Sequence, residues 1–370
     1  MIRTLKNAIL RGVEPFIRLP IGGMDISDLS VKYLVLRPRG RKLTFDFWGE
    51  LILPEGLITG GEIKDESGLI KLFDSWLAKE GRQLRSNFFA VSLPEEKSFL
   101  RAVQLPKIKK EDVANAIRWE IETNIPLPAE ETMFDHEIIE LPSINSNHTD
   151  VVITAFPRPI IESYLRIFRK VGLGVAFLEL ESQAIVRAVV DNFTDTSSKI
   201  IVDLGRTRTS IILFSYGSII FTSTIEVGGL TFEENISRAL EVSKESASLI
   251  KKETGLDKRS RNGQIFSALL PAVSELGSEL KRVVDYYQRR GLHVHAENSE
   301  IKEIILTGGD ANLDGLDTFL GSSLRIPTTR ANPFRHIESR LDVTVPPISR
   351  NRTLGFTTTV GLALRGIQTS

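Results

Sequence analysis

Twice in this chain an apolar strand is broken by an aspartate just before a tight turn, and each time a second apolar strand follows. The first copy runs through Gly23, Met24, Asp25 and Ile26 into Ser27 and Asp28, and out through Val31 to Leu36. The second runs from Ile200 to Asp203, turns at Gly205, and leaves through Thr209 to Phe214. Short apolar runs separated by small or polar residues are hairpin signals. A carboxylate inside such a strand is costly to bury without a partner. Asp25 and Asp203 are therefore read first as metal or ligand contacts.

Bulk numbers limit what surrounds this repeat. A chain of 370 residues is long for one core, at a usual ~100 to 200 residues per domain, so at least two lobes are expected. Its 41% hydrophobic and 25% charged residues are those of an ordinary globular protein. With 47 basic residues against 47 acidic ones, no global field gathers polyanions, which argues against nucleic acid as a partner. The lack of cysteine excludes a disulfide framework, a thiolate nucleophile and Cys-ligated zinc. His293 and His295 alternate as strand residues do and are read as structural. No apolar run approaches the ~18 residues of a membrane span, so the expected location is the cytoplasm. At the N-terminus, Ile2, Leu5, Ile9, Val13 and Phe16 recur at helical spacing beside Arg3, Lys6, Arg11 and Arg18. Two readings stand for such a helix: peripheral attachment to an anionic membrane, or packing on the protein body or a neighbouring copy.

A hairpin over Gly22 to Leu36 and a strand at Leu43 to Ile52 precede a helix from about Glu66 to Lys79, which Gly81 is expected to end as a C-cap glycine. Phe88 to Leu93 and Phe99 to Leu105 read as short strands with edges open to strand addition. A helix over Glu111 to Asn124 with Val113, Ile117 and Ile121 on one face, strands at Met133 to Leu141 and Val151 to Phe156, and a helix from Pro159 to Val171 complete an α+β block of about Phe88 to Val175. The polar stretch Asp191 to Ser198 is the expected hinge. A second lobe follows as a three-strand meander, helices near Thr231 to Ala239, Lys244 to Thr254 and Ile265 to Arg290, a strand at Glu303 to Thr307, and a helix at Leu313 to Leu320. The expected division is an amphipathic helix over residues 1–20, a first lobe over 21–198 with its insertion, a second over 199–350, and a C-terminal helix within 351–370 that returns to the first lobe.

Duplicated hairpins with an aspartate near each turn resemble the way the actin, Hsp70 and sugar-kinase fold grips a nucleotide. Asp203, Gly205, Thr207 and Thr209 match that fold's Asp-x-Gly-x-Thr-x-Thr loop without departure, and Gly228-Gly229 and Gly308-Gly309 follow in its order. Within the superfamily, Gly23 to Lys32 resembles the first loop of the PilM family, Ile117 to Pro126 its inserted-domain helix, and Gly361 to Arg365 its final helix. The resemblance spans Gly22 to Arg365. It implies an α/β, two-lobed actin/Hsp70-like ATPase fold with an inserted FtsA/PilM-type α+β subdomain. It further implies a scaffold of type IV pilus assembly at the inner face of the cytoplasmic membrane. Such a scaffold binds ATP and Mg2+, is at most a slow ATPase, holds the cytoplasmic tail of a PilN-like membrane protein, and meets the assembly motor or platform proteins. Homo-oligomers are compatible with it. An FtsA-like division protein and a small-molecule kinase are the alternatives; the five residues after Arg365 are too few for an FtsA-type membrane helix.

The nucleotide contacts so implied are Asp25, Ser27, Asp28, Ser30 and Lys32 in the first loop and Asp203, Gly205, Thr207 and Thr209 in the second. Gly228, Gly229 and Lys251 follow downstream, with Gly308 and Gly309 on the adenosine side and Asp25 and Asp203 holding Mg2+ through water. Lys32 either neutralises phosphate charge or is an outward strand residue. Glu181, at the start of a helix, is the candidate for orienting the attacking water; Glu179 competes, and a helix acid complementing the macrodipole is the bland alternative. Two departures stand out. Ser27 and Asp28 replace the family's Gly followed by Ser or Thr, so an ionised Asp28 is expected to face the phosphates and repel them by roughly a few kcal/mol. Ser248 replaces a glutamate expected at the ribose. Arg118 and Trp119 are candidate partner contacts, Trp119 being alternatively a subdomain-interface residue. Lys251, Lys252, Lys258, Arg259 and Arg261 read as a solvated basic edge.

Overall fold

A computed structural model describes residues 20–84, 87–107, 113–124, 129–139, 148–190, 197–290, 300–342 and 346–368. Residues 1–19 of the expected N-terminal helix, His293 and His295, and hinge residues 191–196 lie outside the described residues. The first aspartate-bearing hairpin is β1 (Gly22–Ile26) and β2 (Ser30–Arg39), which β3 (Lys42–Ile52) extends into an antiparallel meander. A two-residue hairpin, β4 (Ile58–Thr59) and β5 (Glu62–Ile63), follows. Next to β1 and parallel to it lies β6 (Phe88–Leu93), and beyond that β10 (Gly174–Leu180), giving the order β10-β6-β1-β2-β3.

The second lobe repeats this plan. β11 (Ser198–Leu204), β12 (Thr209–Ser215) and β13 (Ser218–Ile225) form the meander, while β14 (Ile301–Thr307) and β15 (Thr328–Arg330) add in parallel beside β11. Asp25 stands opposite Lys32 and Asp203 opposite Ser210, each on the second-to-last rung before its turn. The duplication read from the sequence is thus a duplication of register.

Two expectations need correction. Phe88–Leu93 and Gly174–Leu180, placed in the inserted block, are strands of the first sheet, so the block is narrower than 88–175. It comprises β7 (Phe99–Pro106), α2 (Val113–Asn124), β8 (Thr132–Ile138) and β9 (His148–Pro157). These strands extend the second lobe's sheet, in the order β13-β7-β9-β8, through a single paired position, Phe221 opposite Arg101. In consequence β6 lies between β1 and β10 and offers no open edge for strand addition, whereas β8 is outermost. A short apolar run identifies a strand but not its neighbours. Gly81, for its part, has φ −60 and continues into a 3-10 turn, so it is not a left-handed cap.

Helices α1 (Glu66–Glu80) and α3 (Arg158–Lys170) cover one face of the first sheet. There Phe73, Trp76, Tyr164 and Phe168 pack on Met24, Tyr33 and Phe47, each such side chain contributing ~1.5–3 kcal/mol by burial. On the opposite face α4 (Glu181–Val189) and α9 (Thr357–Gln368) cross the sheet. Glycine permits this approach, since a Cβ on Gly23 would strike the Thr359 carbonyl and one on Gly361 that of Ala184. The second lobe is packed by α5 (Gly229–Leu240), α6 (Lys244–Thr254), α7 (Gln264–Arg290) and α8 (Leu316–Leu324). Among the described residues no helix is long and apolar enough to cross a membrane.

Candidate functional site

The two aspartate-bearing turns face each other across a cleft of about 490 Å3. The first lobe contributes the Ser27 to Ser30 turn with Asp25, Lys32 and Glu181. The second contributes Asp203, the Gly205 to Arg208 turn, Ser210 and the Gly308 to Asp310 turn, with Gly355 alongside. Gly309 and Gly355 face each other, Gly309 Cα lying 3.5 Å from where a Gly355 Cβ would sit, so side chains at either would fill the gap.

Carboxylates crowd the floor. Asp25 accepts from Ser92 Oγ at 2.9 Å, and burial pushes its pKa up against the pull of Lys32. Burial, with Asp25 nearby, pushes Asp203 up to about 7. Glu181, the first residue of α4, is pushed well above the usual carboxylate range by burial and by Asp25, Asp203 and Glu95. Its rival Glu179 is occupied, held by Arg187 at 2.7 and 3.0 Å and by Arg365 at 3.2 Å. Glu95, which sequence reasoning missed, follows Pro94 in a 3-10 turn where the chain leaves the first sheet for the inserted block. Its carboxylate accepts from the Ser182 backbone N–H at 3.0 Å, and burial raises its pKa. An acid immediately after a proline-stopped apolar run was the available signal.

Such a floor is the electrostatic complement of a cation. Among the described residues no three acidic or imidazole side chains are arranged to grip a metal directly. A hydrated Mg2+, held through its water shell, is what Asp25 and Asp203 fit. Lys32, bonded to Ser30 Oγ at 2.9 Å and 3.7 Å from Glu50, is the cation that the first lobe turns toward the cleft.

Several expected contacts support the turns instead of lining the cleft. Thr209 is fully buried and donates to the Val227 carbonyl at 2.6 Å. Gly228 lies against the backbone of Arg206 to Arg208, and the Gly229 N–H donates to the Gly205 carbonyl at 3.0 Å, docking the start of α5 on the second turn. Lys251 is buried behind that junction, paired with Glu233 at 2.9 Å and Asp310 at 2.5 Å. Arg118 and Trp119 are exposed on α2, Trp119 by 73%, away from the buried Val113 and Ile117.

Asp28 departs furthest from expectation. Its oxygens accept from the Gly60 and Gly61 N–H groups at 3.1 and 2.9 Å and from the Arg208 guanidinium across the cleft. Arg208 also reaches Glu96. The carboxylate lines the cleft with its charge met by Arg208 of the second turn, so Asp28 and Arg208 latch the two lobes together. Asp28→Asn is expected to speed release of bound nucleotide roughly fivefold, in line with ~1 kcal/mol for a partly exposed pair. Stopped-flow displacement of a fluorescent ATP analogue measures this; an unchanged rate contradicts the latch.

A duplicated hairpin plan, a cleft between the copies and an acid floor define an actin-like ATPase-fold protein. Solved structures agree on that fold. The PilM-PilN type IV pilus biogenesis complex is similar with a TM-score of 0.77 at 22% identity, covering 95% of this chain and 99% of that one. MreB5 of Spiroplasma citri bound to ADP gives 0.57 at 12%, covering 95% and 97%. The ethanolamine utilization protein EutJ from Carboxydothermus hydrogenoformans gives 0.54 at 17%, covering 95% and 91%. The family model described as type IV pilus assembly protein PilM matches residues 23–367, and the chain belongs to that family. Membership decides against the division-protein and kinase alternatives.

Proposed function

We propose that this protein is a nucleotide-dependent scaffold of type IV pilus assembly at the inner face of the cytoplasmic membrane. It binds Mg2+-ATP between its lobes and holds the cytoplasmic tail of a PilN-like membrane protein, linking it to motor or platform proteins. The observation that carries the nucleotide part is the pair of equivalent turns whose aspartates, Asp25 and Asp203, meet over one cleft. Bound Mg2+ would neutralise phosphate charge. Asp25 and Asp203 would orient its waters, Lys32 would balance the acids, and Glu181 would accept a proton from a water positioned beside it. Burial and the neighbouring Asp25, Asp203 and Glu95 raise the pKa of Glu181, so it takes up a proton more readily than a solvated carboxylate.

The partner part is supported by family membership and by the relative solved as a PilM-PilN complex. On the inserted block, main-chain groups for an extended tail are offered by outermost β8 and by β7 beyond its single pairing with β13, and Arg118 and Trp119 are exposed on the same block. Residues 1–19 supply a peripheral membrane contact in this reading. A labelled peptide of the PilN-like tail is expected to bind with an anisotropy change that Trp119→Ala weakens roughly tenfold. A PilN-like partner lacking its tail and captured as tightly as the complete protein contradicts tail capture.

A further inference from the structure

The end of the first lobe opposite the cleft carries a feature that nucleotide binding does not use. Gly23 pairs with Leu34, so Leu36 to Arg39 of β2 run on past the start of β1, and β3 returns beside them with Arg39 opposite Lys42. At ~3.4 Å per residue this ribbon extends roughly 13 Å beyond the start of β1. Its tip is Arg37, Pro38, Arg39, Gly40, Arg41 and Lys42, a run of cations without an acid. Gly40, at φ +63, makes the turn. Arg37 folds back on Asp46 at 3.3 Å, and Asp342 accepts from Thr44 at 2.8 Å. Arg39, Arg41 and Lys42 are exposed.

Apolar groups lie at the same end. Because β1, β6 and β10 are parallel, their first residues lie together there, with Gly22 paired to Phe89 and Gly174 to Phe88. Phe88 is 44% exposed.

We propose that the basic ribbon tip docks the first lobe on a bilayer surface bearing anionic lipid headgroups. Clustered cations attract such a surface within a Debye length, and neighbouring apolar side chains enter the headgroup boundary. A nucleic acid would use the cations but has no place for Phe88, and the cancelling charge of the whole chain supplies no track along a polyanion. With the ribbon on the bilayer, the cleft at the opposite ends of β1 and β2 faces away from the bilayer and remains open to nucleotide. The inference extends the peripheral-membrane part of the reading above, on residues of its own.

Co-sedimentation of the full chain with phosphatidylcholine vesicles, with and without phosphatidylglycerol, tests it. The wild type is expected to bind only the anionic vesicles, less as salt rises. Replacing Arg39, Arg41 and Lys42 together by serine is expected to weaken binding roughly a hundredfold, about fivefold per charge. The melting temperature should be unchanged, since the tip is exposed. A triple variant that sediments like the wild type overturns the ribbon as the docking element. So does a wild type that ignores anionic vesicles, or one that binds duplex DNA as tightly as it binds them. Deleting residues 1–19 is a separate arm: if the deletion binds normally while the triple variant does not, the N-terminal reading fails and the ribbon stands.

Discussion

Replacing Asp203 with alanine is expected to weaken Mg2+-ATP binding roughly a hundredfold, about 2.7 kcal/mol, without unfolding either lobe. The pairing of Asp203 with Ser210 on β12 and with Thr307 on β14 is main-chain, so removing the carboxylate leaves the sheet intact. What is lost is one of the two acids that face each other across the cleft. Because Asp203 is buried beside Asp25 and Glu95, the nucleotide-free variant loses repulsion and should be at least as stable as the wild type. Weaker binding in a protein that melts no lower distinguishes a ligand contact from a structural residue. Calorimetric titration beside a melting curve reads both, and equal ATP affinity in the two proteins sinks the assignment.

The same acids give the nucleotide-free protein an unusual pH dependence. Asp203 is pushed up to about 7 from an ordinary 3.8, and Asp25, Glu95 and Glu181 are raised as well. Between those values the folded state holds protons that the unfolded chain releases. The corresponding stability is present in full below about 4 and is lost as pH rises through 7, on the order of 4 kcal/mol for Asp203 alone. Glu233, brought down to about 2 by Arg206 and Lys251 despite its burial, works in the opposite sense and costs stability only as pH falls below about 4.5. The melting temperature without ligand should therefore fall from pH 5 to pH 8. Asp203→Asn should flatten that slope and raise the value at pH 8 by several degrees, and Mg2+-ATP should do the same for the wild type. A melting temperature that is flat or rising over this range contradicts the crowded-acid description.

The hairpins were legible because an aspartate in an apolar strand is conspicuous and the period of a strand places its neighbours. The Lys244–Thr254 helix was legible to the residue because its ends are chemical: Ser243 caps it by accepting from the Ser246 N–H at 3.2 Å, and Gly255 turns out of it at φ +56. What stayed hidden depends on distant chain segments. Glu95 is drawn into the site by the Ser182 N–H, 87 residues away, and Asp28 is paired across the cleft with Arg208, 180 residues away. Lys251 looked like a ligand contact because its sequence neighbours said nothing of Glu233 and Asp310 beside it. Phe88–Leu93 looked like an edge because apolarity reports burial and not strand order. A local pattern shows where a carboxylate or a cation stands; whether another part of the chain has already occupied it is decided by the fold.

Calorimetric titration of the wild-type protein with ATP, after stripping of copurified nucleotide and with Mg2+ present, tests the central claim most directly. Saturable one-to-one binding in Mg2+ that is lost when the cation is chelated is the predicted result. No binding in Mg2+ would contradict the account, leaving the facing aspartates and their cleft as architecture without a ligand.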